Sequence, residues 1–358
     1  MNIAHNIKQL GKDTAIYGIS TIVGRFLTFL LVPFYTNVLV PADYGIVTYL
    51  YSLIAFIAII YSYGMETAYF KYATASEIGT PKQNFSTPFF TLFLSSVIFS
   101  LLIIIFENPL ASILEIPTHY SSLIKFSAGI LLCDTIVLIP FASLRKERNA
   151  KKFAAIKIFN IVSNVALNMY FLLEKKMGVE GIFLSGFLSS FLTVIALLPT
   201  IIKHCEFTIH SSLLSSLIKF ALPTIPAGFA SMAIQVIDRP ILRSLTNDEV
   251  VGIYQANYKL GIFMMLVVSM YEYAWKPFYF SIANQPNAKE IFSRVLTYVV
   301  FLMTGIFLAL SFFIKDIISI DFFGRHLIHP KYWSGVEIVP IVLLAYIFLG
   351  IATNLSAG

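Results

Sequence analysis

Long uncharged stretches alternate with short polar segments along the chain. Each stretch holds about 20 consecutive apolar residues, the length that an α-helix needs to cross the hydrocarbon core of a bilayer. The connections between the stretches are short, so the pattern predicts no separate extramembrane domain. The predicted transmembrane helices are 14–39, 45–66, 88–106, 122–144, 153–173, 181–202, 217–242, 250–275, 291–314 and 336–356.

The composition agrees with this pattern. Of the 358 residues, 58% are hydrophobic and 12% are charged, whereas an average soluble domain is about 45–50% apolar and about 25% charged. The polar residues are too few to cover the surface of a water-soluble protein. A soluble enzyme, a nucleic-acid-binding protein and a disordered chain are therefore excluded, and we predict an all-α polytopic membrane protein.

The net charge of +6 is typical of a membrane protein, whose basic residues collect in the connections on one side of the membrane. Twelve Lys and Arg residues fall in one set of alternate connections and six in the other. Cytoplasmic connections accumulate positive charge, so this bias places the N-terminus in the cytoplasm. No basic run is interleaved with exposed aromatic residues, and we expect no nucleic-acid partner.

Metal and disulfide chemistry find little support in the sequence. The cysteines Cys133 and Cys205 have neither disulfide nor metal-ligand spacing. His326 and His329 form an HxxH pair without a third ligand. We therefore expect no metal and no cofactor.

The chain contains an internal repeat. A shift of 207 residues superposes six identical pairs without a gap, including a proline and a glycine pair. The pairs are Pro33/Pro240, Gly45/Gly252, Ile46/Ile253, Tyr51/Tyr258, Leu53/Leu260 and Phe56/Phe263. The repeat unit holds six helices, so both copies have one orientation, as in transporters built from parallel repeats. This predicts an N-terminal lobe at 1–203 (helices 1–6) and a C-terminal lobe at 204–358 (helices 7–10); chance similarity of two apolar stretches is the alternative.

Polar residues follow one face of each of three predicted helices. The residues are Thr14, Gly18, Thr21, Arg25 and Thr28; Lys157, Asn160, Asn164 and Asn168; and Thr224, Gly228, Ser231, Gln235 and Asp238. Such faces line a hydrated cavity or join helices by hydrogen bonds, and for the Thr and Asn residues both remain open. The candidate cavity-lining residues are Thr21, Thr28, Asn160, Asn164 and Gln235. For Arg25 and Lys157 a cavity is favoured, because a charge in hydrocarbon costs at least roughly 2.5–3.5 kcal/mol.

Several acids also fall within or beside the predicted helices. Asp134 is the most central, and a carboxylate in a low-dielectric site can exchange a proton near neutral pH. We therefore predict ion or proton coupling at Asp134, with Glu66 and Asp238 as further candidates. An ion pair of Asp134 with Lys125 or with another helix is the alternative, and Asp238 beside Arg239 also fits a local pair.

Two parts of the sequence resemble a known family. The run DTAIYG at 13–18 and the run LLVPFYTNVLVPADYGI at 30–46 closely resemble polysaccharide-biosynthesis (O-antigen) flippases of the Wzx type. These belong to the multidrug/oligosaccharidyl-lipid/polysaccharide (MOP) exporter superfamily. MGVEGIFLSGFLSS at 177–190 and VGIYQANYKLGIF at 251–263 are similar to the sixth and eighth helices of that family.

The resemblance implies a two-lobed, MATE-like transporter and not an enzyme. Such a protein moves undecaprenyl-pyrophosphate-linked oligosaccharides, including lipopolysaccharide precursors, across the bacterial inner membrane, driven by a gradient of H⁺ or Na⁺. Its partners would be this lipid-linked substrate, membrane lipids and other polysaccharide-assembly membrane proteins. The pyrophosphate needs cations, for which we predict Arg25 and Lys157, followed by Lys125 and Lys259.

The sequence departs from the family in its second lobe. The repeat predicts two helices more than the ten found, so we expect a six-helix N-lobe and a truncated C-lobe. Two other functions remain open. A MATE-like, cation-coupled exporter of small molecules would need an acidic cavity, and a polysaccharide polymerase or ligase would need a large outward loop.

Overall fold

The computed structural model describes residues 18, 22–75, 78–282, 285–322 and 324–356. Within these ranges the chain is helical apart from turns and a two-stranded antiparallel hairpin, β1 (Asp321–Phe322) and β2 (Arg325–His326). The same residues contain nine helical segments long and apolar enough to cross a membrane, and a shorter apolar helix, Ile22–Val38. The all-α, multi-pass prediction is confirmed. Each of the ten predicted spans coincides with one of these segments, although part of the first, 14–39, lies outside the described residues.

We number the helices in chain order. They are α1 (Ile22–Val38), α2 (Pro41–Ser62), α3 (Met65–Ala75), α4 (Pro81–Ile105), α5 (Glu107–Ile113), α6 (Ser122–Ile136), α7 (Leu138–Lys146), α8 (Ala150–Met169), α9 (Gly178–His204), α10 (Ser211–Ala221), α11 (Ile225–Val236), α12 (Asp238–Leu245), α13 (Asp248–Tyr258), α14 (Ile262–Ile282), α15 (Ala288–Ser319) and α16 (Val339–Leu355). Short 3₁₀ or π turns lie at Thr118–Tyr120, Tyr170–Glu174, Leu222–Thr224, Lys259–Gly261 and Pro330–Ile338.

Two of the spans are interrupted at positions that touch each other. The second span breaks between α2 and α3, where Gly64 has a φ of 72°. The seventh breaks between α10 and α11, around Pro223, whose ring removes a backbone donor. A Cβ atom at Gly64 would overlap the Thr224 hydroxyl and lie 2.7 Å from the Ala221 carbonyl oxygen. Only glycine fits this crossing, because it combines a positive φ with the absence of a side chain.

A second close crossing involves one of the repeated glycine pairs. A Cβ atom at Gly252 on α13 would overlap the Pro41 carbonyl oxygen and lie 3.0 Å from the Gly45 amide nitrogen on α2. Small residues at such positions allow helix backbones to approach closely. Gly45 and Gly252, which the 207-residue shift pairs in sequence, are therefore also neighbours in the fold.

The chain separates into two compact units, which are described individually. One contains Met1–Gly45 and Glu249–Gly358, and the other contains Ile46–Asp248. The core of the second unit includes Met65, Phe85 and Leu144 together with Leu217 of α10. A compact unit need not coincide with one copy of a sequence repeat. The lobe boundary at 203/204, which was predicted from the repeat, therefore stays a prediction.

Candidate functional site

The site is built around a tight reversal between α7 and α8. Arg148 adopts a left-handed φ of 55°, its amide donates to the Arg145 carbonyl at 3.0 Å, and the Asn149 amide donates to the Leu144 carbonyl at 2.8 Å. This pattern ends an α-helix. The Asn149 side chain then accepts from the Lys152 amide at 3.3 Å and begins α8. The reversal brings the two helices side by side.

Each of these two helices carries a phenylalanine and a cation one turn apart. Phe141 precedes Arg145 on α7, and Phe153 precedes Lys157 on α8. The pairs cross: Lys157 Nζ lies 4.4 Å from the Phe141 ring centre, and the Arg145 guanidinium lies 5.9 Å from the Phe153 ring. The two rings meet edge to face at 5.2 Å. Two cations are thus held on one surface by aromatic contacts between the helices.

Arg145 has further partners on α3. Its guanidinium forms an ion pair with Glu66 and lies 5.0 Å from the Phe70 ring. The side chains of Arg145 and Glu66 are 38% and 37% exposed. The pair is therefore open to solvent on one side, and a further anion could reach Arg145 there.

Lys157 has its acidic neighbour on α6. Asp134 accepts a hydrogen bond from the Ser190 hydroxyl on α9 at 2.7 Å and interacts electrostatically with Lys157 and with Tyr51 of α2. Ser190 lies one turn after Gly186, where a Cβ atom would lie 2.8 Å from the Tyr51 hydroxyl. Four helices therefore converge on one carboxylate. We call Glu66, Asp134, Arg145 and Lys157 the charged cluster.

The charged cluster extends into the membrane-spanning part of the fold. Lys157 lies seven residues from the start of α8, or about 10 Å along the axis, and Asp134 lies 12 residues before the end of α7, or about 18 Å. Both side chains are exposed. Exposed charges at this depth need water, because hydrocarbon would cost several kcal/mol for each. We therefore infer that water reaches this surface of the second unit.

The asparagines on the same helix behave differently. Asn160 donates to the Ser189 carbonyl at 3.1 Å and to the Thr193 hydroxyl at 2.8 Å, both on α9. Asn164 donates to the Ser189 hydroxyl at 3.1 Å, and Asn168 donates to the Asn164 carbonyl at 2.8 Å. Asn160 and Asn164 therefore join α8 to α9, which favours the helix–helix interpretation over cavity lining. We call Asn160, Asn164 and Asn168 the asparagine ladder.

Three predicted residues of the first and seventh spans form hydrogen bonds, one to another helix and two within their own helix. Arg25 donates to the Ser269 hydroxyl at 2.9 Å. Thr28 donates to the carbonyl of its own helix at Gly24, and Gln235 donates to the Ser231 carbonyl at 3.3 Å. Thr21 lies outside the described residues.

Two further predicted residues, Lys125 and Asp238, form ion pairs with other partners. Lys125 pairs with Glu107 at 3.0 Å, not with Asp134. Asp238 pairs with Arg239 at 2.7 Å, which agrees with the local-pair alternative. Lys259 is half-buried in the 3₁₀ turn that interrupts the eighth span. The roles assigned to all these residues stay predictions.

Three residues of the site were not predicted from the sequence. Arg145 was counted among the loop cations, and Tyr51 and Ser190 were given no role. The repeated spacing of Phe141 with Arg145 and of Phe153 with Lys157 is the signal that points to the first. Tyr51 and Ser190 are uncharged residues on apolar helices, and only the packing of α2, α6 and α9 reveals their proximity to Asp134.

Metal ligation finds no support in the part of the chain that the structure describes. No group of three or more His, Cys, Asp or Glu residues there is arranged to hold a metal ion. His326 lies 3.1 Å from the Ser319 carbonyl, and the His329 ring accepts from the Lys331 amide at 3.3 Å. Burial, followed by the neighbouring Lys331 and His326, lowers the pKa of His329.

The chain is similar to known proteins in sequence and in fold. A family profile described as polysaccharide biosynthesis protein matches residues 36–326. No curated protein matches the chain significantly. A mutant of the Vibrio cholerae MATE transporter VcmN is similar in structure, with a TM-score of 0.62 and 15% identity over 99% of this chain and 86% of that one.

Two further solved structures are similar. An inward-facing multidrug resistance MATE family transporter of the MOP superfamily aligns with a TM-score of 0.63 and 11% identity, over 93% of this chain and 82% of that one. An outward-facing structure with the same description aligns with a TM-score of 0.56 and 12% identity, over 97% and 84%. At these identities the matches show a shared two-lobed fold.

Proposed function

Because the chain belongs to the polysaccharide biosynthesis protein family, we propose that it exports lipid-linked oligosaccharides for the assembly of a surface polysaccharide such as O-antigen. The substrate would be an oligosaccharide on undecaprenyl pyrophosphate, moved from the cytoplasmic to the outer leaflet of the bacterial inner membrane. The multi-pass MATE fold supports a transporter, and we propose no enzymatic step. The excess of basic residues in one set of connections supports a cytoplasmic N-terminus.

One observation carries the proposal: two cations, Arg145 and Lys157, are exposed on one hydrated surface and held by crossed aromatic contacts. A pyrophosphate diester carries negative charge and accepts several hydrogen bonds. Arginine offers a planar fork of donors and lysine a compact charge, so the pair suits such a group. Holding the cations in place before binding lowers the entropic cost of ordering them.

The acids of the charged cluster suggest how ion binding is linked to substrate binding. With Glu66 and Asp134 both ionised, the two cations are balanced by two anions. Protonation of Asp134 leaves one positive charge in excess beside Lys157 and favours an anionic ligand. Loss of this proton would weaken the same interaction, so proton binding and substrate binding would be linked at one site. Sodium bound to Asp134 would neutralise the same carboxylate and act in the same direction.

Genetic complementation tests the proposed function. Expression of the chain in a bacterium that lacks its flippase should restore surface polysaccharide, whereas the double variant Arg145→Gln/Lys157→Gln should not restore it at equal protein level. Lys151→Gln is the matched control, because this lysine is exposed on the first turn of α8 and makes no contact with the cluster in the described structure. Equal polysaccharide export by the double variant would overturn the role of the cations.

A MATE-like exporter of small cations is the second candidate. The exposed carboxylate of Asp134, which accepts a single described hydrogen bond from Ser190, favours it. Reconstituted vesicles separate the two functions. Efflux of a cationic dye without translocation of a lipid-linked oligosaccharide would support the exporter of small cations, and the opposite result would support the flippase.

A further inference from the structure

Arg243 occupies an unusual position for a residue on a short connecting helix. It lies on the last turn of α12, and its side chain is 11% exposed. Its Nε donates to Asp248 Oδ1 at 2.6 Å and one terminal nitrogen donates to Asp248 Oδ2 at 3.2 Å. This two-point contact fixes the plane of the guanidinium, which leaves its remaining donors directed away from α13.

The remaining donors reach the connection between the third and fourth spans. The two terminal nitrogens donate to the Leu114 carbonyl at 2.6 Å and the Glu115 carbonyl at 3.0 Å. These carbonyls follow the C-terminus of α5, where Glu115 has a left-handed φ of 52° and the Ile116 amide closes the helix end on Ala111 at 2.9 Å. A cation suits this position, because carbonyls at a helix end carry partial negative charge.

The fifth contact is aromatic. The Arg243 guanidinium lies 4.1 Å from the ring centre of Tyr49, which belongs to α2. The guanidinium therefore lies over an aromatic ring and is also hydrogen-bonded around its edge. A lysine could not reproduce this set, because its three donors radiate from a single nitrogen and offer no plane to stack.

We propose that Tyr49, Leu114, Glu115, Arg243 and Asp248 form a clasp that holds one end of the helix bundle closed and must release during transport. The connections 106–121 and 237–247 that it joins emerge at the same end, since an even number of spans separates them. Tyr49, Leu114 and Glu115 precede the lobe boundary predicted at 203/204, whereas Arg243 and Asp248 follow it, so the clasp joins parts of the two predicted lobes that pack in one compact unit, Ile46–Asp248, in this structure. The inference rests on the proposed function, because only an alternating-access cycle requires the two lobes to separate at that end.

Distance measurements between spin labels test the clasp without any substrate. Cysteines would be introduced at Thr118 and Ser244, which are exposed on the two connections, in a chain whose Cys133 and Cys205 are replaced by alanine. The labelled full-length chain in lipid nanodiscs should give one short distance. Arg243→Ala and Asp248→Asn should each add a second, longer population, and Arg243→Lys should add a smaller one.

The control is Arg294→Ala. This arginine also pairs with an acid, Glu290 at 2.6 Å, but both side chains are more than 60% exposed (69% and 63%), and the distance distribution should not change. Thermal unfolding of each variant in the same nanodiscs verifies folding, and Arg243→Lys keeps the test possible if Arg243→Ala does not fold. Unchanged distributions in Asp248→Asn and Arg243→Lys would overturn the clasp. Because no oligosaccharide is needed, failure of the clasp is distinguishable from failure of the proposed function.

Discussion

The charged cluster and the asparagine ladder meet on α8, which carries Lys157 and all three asparagines, yet they use polar chemistry in opposite ways. In the ladder, the amide donors of Asn160 and Asn164 are bonded to α9. In the charged cluster, Asp134 and Lys157 touch neighbouring helices while their side chains stay exposed. The ladder satisfies its hydrogen bonds inside the protein, and the cluster leaves part of its charge available to water or a ligand.

The difference separates structural from functional polarity inside a membrane. Interhelical hydrogen bonds of Asn and Ser stabilise helix packing modestly, and they require no access from outside. An exposed charge within the membrane raises the free energy of the protein unless water or an ion reaches it. Mutations in the charged cluster should therefore change transport more than stability, and mutations in the ladder should do the reverse.

The largest effect is expected for Lys157→Gln. A hydrogen bond to a charged group contributes about 1.5–3 kcal/mol, so its loss should lower the rate of oligosaccharide export about 10- to 100-fold. The melting temperature should change little, because the side chain is exposed. Export is measured in reconstituted vesicles, with Lys151→Gln as the control. If export by Lys157→Gln fell only as far as the amount of folded protein fell, Lys157 would have a structural role like that of the asparagine ladder.

The next effect concerns coupling. Asp134→Asn keeps an oxygen to accept the Ser190 hydroxyl hydrogen bond but removes the ionisable group. Export driven by an imposed pH gradient should lose its dependence on the gradient, while the melting temperature stays close to that of the unmodified chain. Ser190→Ala is the matched control, because it removes the hydrogen bond and leaves the carboxylate. Retained gradient dependence in Asp134→Asn would exclude this carboxylate as the proton carrier, and sodium gradients are tested in the same vesicles.

Asn160→Leu probes the ladder at its best-bonded position. The substitution removes bonds to the Ser189 carbonyl and the Thr193 hydroxyl. Interhelical hydrogen bonds in membranes contribute about 0.6 kcal/mol on average and up to about 1.7 kcal/mol, so we expect a loss in this range. Thermal or denaturant unfolding in detergent measures it. Export per folded molecule should remain unchanged, and a selective loss of export would restore the cavity interpretation for Asn160.

The positions of the spans could be predicted from the sequence, because a run of apolar residues long enough to cross a bilayer has few alternatives. The interruptions were harder. Pro223 marks the break in the seventh span, but Tyr63, which has a positive φ of 30° beside Gly64 in the second, carries no such signal. That break depends on the contact with Ala221 and Thr224, which lie far away in sequence.

The site was harder to predict, because the sequence does not show which side chains contact each other in the fold. The Asn stripe has the same spacing whether it lines a cavity or joins two helices, so periodicity could not decide between them. Lys157 and Asp134 were predicted individually because a charge within an apolar run is conspicuous. Arg145 was assigned to a loop because it begins a basic run, although α7 continues through Lys146. The choice between Lys125 and Lys157 as the neighbour of Asp134 needed the fold.

The smallest effect is expected at the far end of the ladder. Asn168 is buried, but its amide donates within α8, to the Asn164 carbonyl at 2.8 Å and the Asn164 side-chain oxygen at 3.1 Å. Asn168→Ala removes these two bonds within α8, so the loss of stability from them should be smaller than that for Asn160→Leu, about 0.5 kcal/mol at most. The double variant with Asn164→Ala provides the control, since residues that share a hydrogen bond should show non-additive losses. Additive losses measured by unfolding would mean that Asn168 contributes by packing and not as a member of the ladder.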